Sequence, residues 1–110
     1  MYIQKNNKKI YFENCTTFFD RLIGFMIKIE PISTGKRFPK CNSIHTFFMF
    51  QPIDIIMTDK NHKIIKMYES LSTEKIILPK KNVYYTYELP LNTCKLFTIN
   101  EILNIKEDKS

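Results

Sequence analysis

The sequence predicts an α+β domain that is β-rich, a mostly antiparallel small barrel or sandwich with one main helix packed on the sheet. Three observations carry this. Short blocks of β-branched and aromatic residues recur along the chain: "KKIYFENC", "SIHTFFMF", "IDIIMT", "IIKMY" and "VYYTYEL". Turn-forming residues bound them, the pattern of strands joined by hairpins. One segment alone, "TTFFDRLIGFMIKI", spaces its apolar residues as a helix does. The βαβ rhythm of a parallel fold is missing, and so is any GxGxxG or GxxxxGK[ST] loop that would cradle a nucleotide.

Each element has its own justification. "KKIYFENC" is read as the first strand, with Ile10 and Phe12 on one face and Tyr11 on the other. In the helical segment Thr16 or Thr17 supplies an N-cap, and Asp20 sits in the first turn where the helix dipole favours an acid. Phe18, Leu22, Phe25 and Met26 form the stripe that faces the sheet. Gly24 costs about 1 kcal/mol there against alanine, so it marks close packing or an early stop. "EPISTGKRFPKCN" reads as a surface loop, from its prolines, glycine and hydroxyl residues.

Gln51-Pro52 breaks the next two β-rich runs, because proline has no N–H for a central ladder. "DKNHK" is a turn, which makes residues 54–68 a hairpin. "VYYTYEL" is a strand, Pro90 to Thr93 a turn, and "LFTINEILNI" the closing strand segments. Residues 1–106 are expected to form a single domain, with 107–110 a disordered polar tail.

Composition narrows the function classes. Of 110 residues, 44% are hydrophobic and 14% aromatic, too many for a disordered chain. No apolar run approaches the roughly 18 residues of a membrane-spanning helix. "MYIQKNNKKIYF" lacks the apolar core and cleavage site of a signal peptide, so a cytoplasmic location is expected. Cys15, Cys41 and Cys94 are odd in number and form no CxxC pair, which points to reduced thiols. Cys41 and His45 lack a second pair of zinc ligands, so no metal and no cofactor are expected.

The net charge of +6 is a possible footprint of nucleic-acid binding, but its lysines are scattered and only Arg21 and Arg37 are arginine. The charge is read as a solvated surface, with no specific nucleic acid and no membrane as partner.

"CNSIHTFFMFQPIDIIMTDKNHKII" places His45, Thr46 and Asp54 inside a long apolar run. Polar groups there must be satisfied or functional. Asp54, just after Pro52, must be paired or accept backbone N–H bonds. No GxSxG or HExxH motif is present, so no catalytic residue is assigned. Strand geometry puts residues four apart roughly 13 Å apart, too far for a direct Cys41–His45 contact.

With these residues in view, the chain resembles the bacterial and archaeal domain-of-unknown-function family 192. Arg21, Gly24 and Met26 match the end of that family's first helix, and His45, Thr46, Met49, Pro52 and Asp54 its central block. Tyr85 to Leu89, with Glu88 at an acidic position, match a later strand. Where the family has a Gly-Asp turn this chain has Asn100-Glu101, and Asn also adopts a positive φ readily. The resemblance implies a compact β-rich domain with a helix against the sheet and brings no activity.

The function expected is a small binding or interaction module with its pocket around the IHTFFMFQPID segment. Its candidate ligand-binding residues are His45, Thr46, Met49, Asp54 and Glu88; Arg21, Gly24, Met26 and Pro52 are structural. The partner is a small ligand or a protein, and the chain a monomer or weak dimer. The alternatives are a small enzyme using His45 and Asp54 as an acid/base pair, and weak non-specific nucleic-acid binding.

Overall fold

In the computed structural model, residues 1–16, 32–46 and 49–107 are described. Seven strands join in one sheet of order β6-β5-β8-β3-β2-β1-β9. They are β1 (Tyr2–Lys5), β2 (Lys8–Asn14), β3 (Gly35–Pro39), β5 (Ile53–Thr58), β6 (Ile64–Leu71), β8 (Tyr85–Leu89) and β9 (Asn104–Lys106). A separate ribbon pairs β4 (Ile44–His45) with β7 (Ile76–Ile77). Every pairing is antiparallel except β2 with β3. The two sheet edges approach at one end, where Lys63 bridges Ile102 and Ile64 N donates to Glu101 O at 2.9 Å. The sheet is a half-barrel.

This curl explains the core. Ile3, Phe12, Ile56, Ile64, Tyr87 and Leu89, from five strands, meet Cys94, Phe97 and Leu103 of the η1 region and the chain after it as one cluster inside the half-barrel. The alternate residues of β5, Ile53, Ile55 and Met57, pack outside it with Met49 and Ile77 under the β4–β7 ribbon. Because β5 buries both faces it reads as a continuous apolar run.

The α+β expectation is therefore corrected. Among the described residues there is no α-helix, and the one helical turn is a 3-10 turn, η1 (Cys94–Leu96). Among the described residues the curled sheet buries its apolar face against itself, and the ribbon packs on its outer face. The segment read as the packed helix, with Arg21, Gly24 and Met26, lies outside the described residues apart from Thr16.

Two further readings change. "GKRFP" is not a surface loop but β3, between β2 and β8 in the middle of the sheet. Gly35 is required there: a Cβ would stand 2.5 Å from Leu89 Cδ2 and 2.9 Å from the Glu88 carbonyl. Pro39 ends the strand, where its missing N–H is harmless. A strand also precedes "KKIYFEN": β1 pairs with β2 through a turn in which Asn6 has φ 54°. The Asn100 turn has φ 74°, the left-handed backbone that asparagine accepts in place of glycine.

Candidate functional site

Pro52 ends the loop before β5, and Asp54 follows at a bulge. Between Ile53 and Ile55 the partner strand carries one residue too many, and Ser70 takes φ 48° to absorb it. The bulge frees the Ser70 N–H from the ladder, and Asp54 Oδ1 accepts it at 2.8 Å. Asp54 Oδ2 accepts the Cys94 N–H at 2.8 Å, capping the start of η1. One buried carboxylate thus ties β5, β6 and η1 together.

Thr46 is likewise spent on structure. Its hydroxyl donates to Ser72 O at 2.9 Å and accepts from Lys75 N at 2.7 Å. Its backbone O accepts from Glu74 N and Met49 N. Thr46 is thereby fastened to the 72–75 loop.

The remaining candidates do not converge with Asp54. Register places Asp54 beside Leu89 and Ile56 beside Tyr87, with side chains in the half-barrel; Glu88, beside Ile55, points to the opposite face, across from Lys36. Met49 packs on that outer face with Ile53, Ile55, Met57 and Ile77. His45 pairs with Ile76 on the side of the ribbon away from Ile44 and Ile77, and is half-buried. The sheet stands between His45 and Asp54.

The Cys94 thiol is not poised as a nucleophile. All three cysteines are buried and outside any disulfide. Burial, reinforced by the Asp54 carboxylate, pushes the Cys94 thiol up to about 12. Cys94 stays protonated, its Sγ donating to Ile55 O at 3.4 Å.

Around the sequence-predicted segment lies a small groove of about 180 Å³, lined by Gln51, Pro52, Ile53, Pro90, Leu91 and Ile32. Phe50, the residue before Gln51 in the chain, is 62% exposed, and Leu91 is 46% exposed. A wider, shallow hollow of about 360 Å³ lies between the Asp59–Asn61 turn and Asn82–Tyr84.

Sequence reasoning missed Arg37. Its strand, β3, aligns it with Tyr87 of β8 and Asn14 of β2, so its side chain enters the half-barrel. There Arg37 as a whole is 6% exposed. Its carbon lies 4.6 Å from the Tyr85 ring centroid, 5.1 Å from Phe12 and 6.0 Å from Tyr87. Nε donates to Asn14 Oδ1 at 2.8 Å and Nη2 to the Met1 sulfur at 3.7 Å.

Among the described residues no carboxylate pairs with Arg37. Burying a cation costs several kcal/mol, and each cation–π contact returns only about 0.5–2 kcal/mol. Two neighbours are also unsatisfied: Tyr87 Oη and His62 Nδ1 are buried without a hydrogen-bond partner among the described residues. Burial pushes the Tyr87 hydroxyl up to about 12, against the pull of Arg37. His62 stacks on Tyr85, with centroids 5.2 Å apart. Burial and then the Arg37 charge hold His62 below the usual histidine value, with Asp59 pulling the other way. Only one signal in sequence pointed here: arginine is rare in a chain whose cations are mostly lysine.

Among the described residues, a nearly all-β half-barrel with a two-stranded ribbon on its outer face defines the structural class. The chain belongs to domain-of-unknown-function family 192, described as "Uncharacterized ACR", whose model matches residues 1–105. It is similar in fold to a solved "putative transcription regulator" from Sinorhizobium meliloti 1021, with TM-score 0.78 and 16% identity over 94% of this chain and 89% of that one. It is also similar to a solved protein of unknown function from Novosphingobium aromaticivorans, with TM-score 0.70 and 14% identity over 86% of this chain and 74% of that one. No curated protein matches the chain. These likenesses carry the fold alone.

Proposed function

We propose that the domain is an interaction module that receives one apolar side chain of a protein partner in the groove between Gln51–Ile53 and Pro90–Leu91. The observation that carries this reading is the size and lining of the groove. About 180 Å³ falls below the roughly 300–1,000 Å³ of small-molecule sites, but suits one large apolar side chain. Its walls are proline, leucine and isoleucine with Gln51 at one side, and exposed Phe50 precedes Gln51 in the chain. Met49, the neighbour of Phe50, is anchored in the outer core and gives this surface a firm base.

The enzymatic alternative needs His45 and Asp54 to meet, and the sheet holds them on different sides. A peptide-display selection tests the proposal. Wild-type protein is expected to enrich peptides with a shared aromatic or aliphatic anchor, and Leu91→Asp, folded to the same melting temperature, to lose them. Enrichment that survives Leu91→Asp, or the absence of a shared anchor, contradicts the proposal.

A further inference from the structure

We propose that the Arg37 cluster inside the half-barrel is a binding site for the carboxylate of a small organic acid. The cluster holds a cation in an apolar surround with its donors poorly used. A guanidinium has five N–H donors; here Nε is fixed by Asn14 Oδ1, Nη2 meets a thioether sulfur, a weak acceptor, and the Tyr87 hydroxyl lies within the guanidinium's influence. The planar edge bearing Nη1 and Nη2 matches a carboxylate through two parallel hydrogen bonds. Such an anion would take the place of the Met1 sulfur at 3.7 Å.

The surroundings fit the rest of the ligand. Phe12 and Tyr85 supply apolar ring faces beside the guanidinium. Tyr87, whose hydroxyl stays protonated, and the partnerless Nδ1 of His62 add hydrogen-bonding capacity around the same Tyr85 ring. Asn14 is exposed, and Met1, His62 and Tyr85 are half-buried, so the cluster borders solvent on that side. With one buried cation and a neutral imidazole, a monoanion balances the charge. A phosphate dianion would leave an excess negative charge in a low-dielectric setting, which is costly.

The test titrates sodium benzoate into full-length protein carrying ¹⁵N and ¹³C-methyl methionine, at constant ionic strength, with chloride and inorganic phosphate run alongside. The expected result is saturable shifts at Arg37 Nε–H, the Asn14 side-chain amide, Tyr87 and the Met1 methyl. Arg37→Lys keeps the charge but loses the fork, and should weaken benzoate tenfold or more. Asn14→Ala releases the fork without touching the cation and should weaken binding several-fold; it carries the test if Arg37→Lys does not fold. Shifts that never saturate, equal affinity in the variants, or tighter binding of phosphate or chloride overturn the proposal.

Discussion

Asp54 shows how much one buried residue decides. Its two oxygens accept the Ser70 and Cys94 amides, so Asp54→Ala orphans two backbone donors at once. Each orphan costs about 1–3 kcal/mol, so a loss of about 2–6 kcal/mol is expected in chemical denaturation. His45→Ala touches a two-residue strand on the outer ribbon and should leave the fold in place. Sequence reading left two roles open for Asp54, backbone bracing after Pro52 and ligand binding. It could not name Ser70 or Cys94, because the bulge that frees Ser70 depends on strand register. His62 adds a pH dependence. Its folded-state pKa is held below the unfolded value of about 6.5. The unfolded chain thus binds more protons, and stability falls as pH drops below about 6.5. His62→Gln should flatten the stability profile between about pH 5 and 7; an unchanged slope would show that the burial of His62 has no such effect.

At the scale of elements, β3 teaches most. Glycine, lysine, arginine and proline within five residues read as loop, yet this strand is central. Each residue has a positional reason. Gly35 lets β3 approach Leu89, Arg37 points to aromatic rings, and Pro39 stands at the end. None of those partners is local: Tyr85, Tyr87 and Leu89 follow some fifty positions later in the chain. That is why hairpin β5–β6, made of adjacent segments and an Asp59 turn, was legible and β3 was not. Gly35→Ala is expected to cost about 1–3 kcal/mol, the usual penalty of overpacking, because its Cβ meets backbone as well as a side chain. A melting temperature equal to wild type would refute that account of the strand.

For the whole molecule, the curl of the sheet separates two environments. The interior gathers Asp54, Arg37, His62 and Tyr87, while the outer face carries Met49, Glu88, the ribbon and the groove. The sequence predicted strands but not this partition, because a polar residue in an apolar run does not reveal which face it joins. Surface lysines are spread around the fold, several resting over aromatic rings such as Lys9 over Tyr2 and Lys66 over Tyr68. Binding to DNA or RNA should accordingly be weak and disappear by physiological salt, as counterion release dictates; sub-micromolar binding to one sequence would contradict this.

The most direct test of the central claim is a chemical-shift map of a display-selected peptide on ¹⁵N-labelled protein. The account predicts saturable shifts concentrated on Gln51, Ile53 and Leu91, with the Asp54 side of η1 unmoved. Shifts centred on His45 together with Asp54, or none in the groove, would contradict it.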